Sequence, residues 1–140
     1  KVPGSEAGCS AAASNKGGVG CNNAFARILR GELQADVLDD DGELFSFVDI
    51  RPASSIHYLV IPRRYIQDAS RLRPTDAALL QRMRDKARLL VRRAVGGSFD
   101  DSELALGFHW PPWYSVPWLH LHAIYPRSRI LLTRRYKYTP

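Results

Sequence analysis

Hydrophobic spacing divides the chain into a patternless lead and an ordered body. Over residues 1–20 Gly, Ala and Ser dominate and no apolar period emerges. Such a segment buries too little surface to offset the entropy of ordering, so it reads as a disordered arm. From Asn23 onward Phe25, Ile28 and Leu29 recur at helical spacing, with Asn22 or Asn23 to cap the start and Gly31 to close the end. That predicts a short helix over 23–30. Residues 34–39 and 43–49 read as strands around Asp40-Asp41-Gly42, a strong hairpin signal. The second of them is apolar enough to be covered on both faces. A third strand spans 56–61 and stops at Pro62, which has no N–H to give a ladder.

The rhythm then changes to a helical one. Pro74 opens a long helix over 75–95, Leu80, Met83, Ala87, Leu90 and Ala94 form its apolar stripe, and Gly96-Gly97 stops it. Residues 103–109 read as a fourth strand. Trp110-Pro111-Pro112-Trp113-Tyr114 is a stiff aromatic loop. A last strand covers 118–125, and a basic tail runs over 127–140. The order predicts one α+β domain over 21–126, antiparallel in its sheet, between the arm and the tail.

Composition narrows the class. The 140 residues suit one domain, and 45% hydrophobic with 24% charged content is ordinary for a globular chain. Twenty Lys and Arg against fourteen Asp and Glu leave a formal charge of +6. That excess favours anionic partners such as nucleotides or nucleic acid, or else is a solvated surface. Arg82, Arg84, Lys86, Arg88, Arg92 and Arg93 supply much of it; they read mainly as a solvated helix face, with a nucleic-acid surface as the lesser reading. Cys9 and Cys21, the only cysteines, read as neither a disulfide framework nor a four-ligand zinc site, which points to an intracellular protein. No run approaches the roughly 18 apolar residues of a membrane-spanning helix, and 1–20 lacks a signal-peptide core. Organelle targeting by the Ser-rich arm stays open.

The chemistry concentrates in the last strand, Trp118-Leu119-His120-Leu121-His122-Ala123. Residues two apart on a strand share a face, so His120 and His122 stand together while Leu119, Leu121 and Ala123 turn away. Paired imidazoles near neutral pH handle protons and attack electrophiles. Ser115 can aim a hydroxyl at the same place. With only two histidines clustered and no carboxylate nearby in sequence, neither a metal nor another cofactor is expected.

Residues 47–66, FVDIRPASSIHYLVIPRRYI, followed by 107–126, GFHWPPWYSVPWLHLHAIYP, resemble the histidine triad superfamily. The likeness is to its Hint branch, in the subgroup with a Gly-Phe-His-x-Pro-Pro loop, and it runs from about 23 to 126. The resemblance implies a homodimer of five-stranded sheets, each protomer binding a purine nucleotide of the AMP type. It implies hydrolysis of a P–N bond to the α-phosphate through a covalent nucleotidyl-histidine on His120. By the same resemblance His122 contacts phosphate oxygens and assists the leaving group, and Ser115 hydrogen-bonds one or the other. His57 orders the triad from behind, and Asp49 takes the ribose hydroxyls. Phe25, Ile28, Phe47 and Ile50 match the residues that sandwich the base.

The pattern departs from the family in places. Trp118 stands at the first triad position, so the relay through His57 is expected to be broken or rerouted and activity reduced. Gly107 matches a phosphate-side asparagine, whose contact His109 can replace. Asn23 and Ala26 stand where some relatives carry paired cysteines, so no zinc is expected there. Two alternatives stay open: a nucleotide-binding scaffold with weak or lost catalysis, and an aprataxin-like deadenylase acting on nucleic-acid ends.

Overall fold

The computed structural model describes residues 22–130; the arm, both cysteines and the tail beyond Ile130 lie outside the described residues. Helix α1 (Ala24–Leu29) starts where Asn23 Oδ1 accepts the Ala26 N–H at 3.0 Å, and it ends at Gly31, whose φ of 74° suits a residue without a Cβ. Strands β1 (Val37–Asp40), β2 (Leu44–Val48), β3 (Ile56–Pro62), β4 (Ala105–Gly107) and β5 (Leu121–Tyr125) build one antiparallel sheet in the order β1-β2-β3-β5-β4. The long helix α2 (Ala77–Val95) crosses from β3 to β4. The α+β architecture expected from the sequence is present, with its five antiparallel strands in one sheet.

Alternation along the strands sorts the core into two layers. On one face Leu44, Val60, Leu121 and Ala123 pack with Leu79, Met83, Ala87 and Val91 of α2. On the other, Phe45, Phe47, Leu59 and Ile61 pack with Phe25 and Ala26 of α1 and with Trp118. Because β3 and β5 are central, both their faces are covered, and the histidines borne by them are buried: His57 is 1% exposed and His122 5%. Antiparallel register places His122 opposite Leu59 on β3 and Gly107 on β4.

Several boundaries differ from the sequence reading. The buried stripe of α2 runs through Leu79 and Val91; Leu80 is only partly buried and Ala94 is exposed. Pro74–Asp76 is a 3-10 turn before α2 proper, held by Asp76 Oδ2 accepting the Arg73 N–H at 2.8 Å. Strand β4 is shorter than 103–109 because Asp101–Glu103 forms another such turn, capped by Asp100. β1 begins at Val37 rather than 34 and carries a bulge. Pro62 pairs opposite Leu44 and belongs to β3. β5 begins at Leu121 rather than 118, because the Leu119 N–H turns to the Ile66 carbonyl at 2.7 Å. Beyond β5, Arg127–Arg129 form a turn and Ile130 is buried against the layer of Ala53 and Ile124.

Candidate active site

A cleft of about 550 Å³ opens on the α1 side of the sheet. Phe25 and Ile28 of α1, Leu33 and Ala35 beyond it, and Phe47 and Leu59 of the sheet supply apolar lining. Phe25 is set by Phe47, edge to face at 5.3 Å, and presents its ring to His120 at 5.1 Å. Asp49, Ile50 and Arg51 follow β2, and His109, Ser115, His120 and His122 supply polar lining. Of the ten residues singled out from sequence, nine line this cleft. The tenth, His57, is buried behind His122. Phe47 is 3% exposed and doubles as core, whereas Ile50 is 88% exposed.

Four imidazoles gather here: His120 and His122, which spacing alone brings together, and His57 and His109, which the family resemblance assigns to the same site. His109 stacks on His122 with ring centroids 4.1 Å apart, and His120 lies 4.8 Å from His122. His57 Nε2 meets His122 Nδ1 at 2.8 Å. Asp49 joins them, its Oδ2 3.3 Å from His57 Nε2. No local pattern announces this convergence, since His57, His109 and His122 sit on or beside three different strands.

Two backbone groups fix where the protons sit. The Ala53 N–H donates to His57 Nδ1 at 3.0 Å, so that nitrogen carries its lone pair and the ring proton of neutral His57 is on Nε2. His57 Nε2–H then donates to His122 Nδ1, which leaves His122 with its proton on Nε2. For His120 the sense is opposite. Its Nδ1 is 2.6 Å from the Trp118 carbonyl, an acceptor only, so Nδ1 carries the proton and Nε2 the lone pair. Two neighbouring rings therefore differ in tautomer, one offering a lone pair at Nε2 and the other an N–H there. A chain of hydrogen bonds runs from the Ala53 N–H through His57 to His122, and the Trp118 side chain takes no part in it, its Nε1–H going to the Pro62 carbonyl.

Burial keeps both rings neutral. It lowers the pKa of His120 from its ordinary value, with the neighbouring His109 adding to the effect against the opposing Trp118 carbonyl and Asp49. His122 is lowered much further, by burial first and then by the proximity of His120, His109 and His57. The ligand atoms of His109, His120 and His122 lie within 4.8 Å of one another, as do those of Asp49, His57 and His122. A metal needs a lone pair from each ligand. His122 Nε2 and His57 Nε2 both carry protons in this network, so the donor set suits an anion better than a cation.

Trp118 itself is a packing residue. It is 1% exposed, its Nε1–H donates to the Pro62 carbonyl at 2.9 Å, and its ring meets Tyr65 edge-on at 5.0 Å. Ser115 is exposed on the loop that returns to β5. Tyr114 beside it anchors that loop by donating its hydroxyl to Asp68 Oδ2 at 3.1 Å. The sequence reading missed Ala53, Tyr114 and Asp68; only their hydrogen bonds reveal them.

Two imidazoles with different Nε2 protonation, His122 on β5 and His120 just before it, at the end of an apolar cleft on a five-stranded sheet, define a histidine-centred α+β protein. Comparison supplies the family. Residues 22–137 match the family described as "Scavenger mRNA decapping enzyme C-term binding". The chain is 34% identical over 107 residues to adenosine 5'-monophosphoramidase HINT3 of Danio rerio, covering 76% of this chain and 66% of that one. It is 36% identical over 108 residues to a bifunctional adenosine 5'-phosphosulfate phosphorylase/adenylylsulfatase, HINT4, of Arabidopsis thaliana, covering 74% and 71%. Among solved structures it resembles a HIT family hydrolase from Legionella pneumophila, with TM-score 0.63 and 29% identity over 74% of this chain and 91% of that one. The chain belongs to the histidine triad superfamily, in its Hint branch.

Proposed function

We propose that this chain is a purine nucleoside phosphoramidase that hydrolyses the bond between AMP and an amine. The base enters the apolar cleft between Phe25, Ile28, Phe47 and Ile50, Asp49 accepts from the ribose hydroxyls, and the α-phosphate lies at His120 and His122. His120 Nε2 attacks phosphorus as the P–N bond breaks, and the departing nitrogen takes a proton from solvent by way of the Ser115 hydroxyl. His122 Nε2–H donates to a phosphate oxygen as charge builds there, with His109 stacked against it. Water then cleaves the P–Nε2 bond, releasing AMP and restoring neutral His120.

The observation that carries this reading is the pair of hydrogen bonds, His120 Nδ1 to the Trp118 carbonyl and His57 Nε2 to His122 Nδ1, from which opposite tautomers follow, a nucleophile and an oxyanion donor side by side. The names of the HINT3 and HINT4 relatives support adenylate chemistry. The bypass of Trp118 favours turnover over binding alone, although Trp118 motivates the scaffold reading from sequence. The protomer is also proposed to work as a homodimer, which light scattering of the purified chain tests.

His120→Ala should reduce turnover of a fluorogenic adenosine phosphoramidate by at least about a thousandfold while AMP still binds. Acid quench of the wild type during turnover should trap a nucleotidyl-histidine that the variant lacks. Wild-type rates in His120→Ala would rule the covalent mechanism out. AMP binding without turnover or adduct in either protein would leave the scaffold reading in its place.

A further inference from the structure

We propose that Asp49 couples recognition of the ribose to the phosphate end of the cleft through His57. The inference rests on the reading above, in which the cleft takes a ribonucleotide, and extends it from what binds to how the sugar influences the chemical step.

The geometry is that of one proton between two acceptors. Because Ala53 N–H occupies His57 Nδ1 at 3.0 Å, the single ring proton of His57 is on Nε2. That Nε2 faces His122 Nδ1 at 2.8 Å and Asp49 Oδ2 at 3.3 Å. Asp49 is held in place while it competes: its own N–H donates to the His57 carbonyl at 2.9 Å, and its Oδ1 accepts the Arg51 N–H at 2.8 Å. Its side chain is 16% exposed and borders the cleft, whereas that of His57 is fully buried. A ligand therefore reaches Asp49 but not His57.

A carboxylate that receives hydroxyl donors becomes a weaker acceptor for any third donor. When ribose hydroxyls bond to Asp49, its claim on the His57 proton falls and the hydrogen bond concentrates on His122 Nδ1. That bond holds the His122 ring with its Nε2–H toward the phosphate. Asp49 is then both a ribose-binding and a positioning residue, and His57 is a positioning residue that acts through His122. Loss of the sugar hydroxyls should consequently lower kcat, where mere loss of binding would raise only KM.

The test compares an adenosine phosphoramidate with its analogue lacking both ribose hydroxyls. In the wild type kcat should fall roughly tenfold with the analogue, in addition to any rise in KM. In Asp49→Asn, which has no carboxylate for the hydroxyls to draw away, the two substrates should differ in kcat by less than about twofold. Separately, nitrogen NMR of the wild type should show the His57 Nε2 and His122 Nδ1 signals moving with saturating AMP and not with AMP lacking both hydroxyls. An unchanged kcat for the analogue, or equal NMR responses to the two nucleotides, overturns the coupling. If neither phosphoramidate is hydrolysed but AMP alone moves the histidine signals, the hydrolase reading fails and the coupling stands. If AMP does not bind, both fall.

Discussion

At position 118 a large apolar ring stands where the family pattern has an imidazole, and its surroundings explain how the site accommodates it. Trp118 fills the layer between Phe25, Phe45, Phe47, Leu59 and Ile61, and its one polar atom is satisfied by Pro62. Its backbone carbonyl, which any residue would supply, is the group that sets the tautomer of His120. Replacing the side chain by histidine should therefore cost stability and do little to catalysis. Trp118→His is expected to lose about 3 kcal/mol in urea denaturation, because it leaves a void and strands a polar ring in an apolar layer. Its kcat should stay within a few-fold of the wild type. A tenfold gain in kcat would show that the relay does pass through this position.

Between elements, the hairpin joining β1 to β2 shows how much of the fold is written locally. Asp41 Oδ1 accepts the N–H groups of Glu43 and Leu44 at 3.0 and 2.7 Å, Gly42 takes a φ of 86°, and Lys86 of α2 lies 3.0 Å from the other carboxylate oxygen. The Leu44 N–H above all, with Glu43 and Lys86, holds the Asp41 pKa down to about 2. A depressed carboxylate stabilises the fold above its unfolded pKa, near 4, and that contribution is lost as pH falls toward 2. Asp41→Asn keeps an oxygen for the two N–H groups but loses the charge facing Lys86. It should cost about 0.5–1 kcal/mol at neutral pH, an exposed ion pair being worth little more, and its stability should fall less steeply between pH 4 and 2.

The hairpin, the capped α1 and the two faces of residues 119–123 were legible because each depends on neighbours in sequence. The register of α2 was not. Leu79-Leu80 and Leu89-Leu90-Val91 offer adjacent apolar residues, so more than one stripe satisfies helical spacing, and packing on β3 and β5 selects the one through Leu79 and Val91. Likewise His120 and His122 declared themselves by spacing. The contact of His122 with His57 and Asp49 depends on antiparallel pairing across more than sixty residues, and nothing in either segment alone announces it.

Over the whole molecule, charge and buried histidine act in different places. Arg82 and Lys86 of α2 pair with Glu43 and with Asp39 and Asp41 of the hairpin, Arg63 pairs with Asp40, and Arg88 with Asp101. Much of the helix's basic excess is thus engaged by acidic residues of the same fold, away from the cleft, which weakens the case for that face as a nucleic-acid surface. Among the described residues no helix is long and apolar enough to cross a membrane. The cleft governs the response to acid. His120 and His122 have pKa values below the ordinary 6.5, so the unfolded chain binds more protons than the folded one once pH drops below that value. Stability should be flat above about pH 6.5 and decline below it, and His120→Ala should shallow that decline in a pH series of denaturation curves. By the same sign kcat/KM should hold through neutral pH and fall on the acid side, as His120 gains the proton that blocks attack.

Trp118 has an optical consequence as well. Of the three tryptophans, it alone is sealed from water; Trp110 and Trp113 are 59% and 70% exposed on the aromatic loop. The emission of the native chain should therefore resolve into a blue component that iodide cannot reach and a red one that it quenches. Trp113 borders the cleft, so an arriving nucleotide should dim the red component alone. Unfolding should instead shift the blue component to longer wavelength, since that requires water to reach the layer beneath α1. One spectrum then separates occupancy of the site from integrity of the fold, without a label.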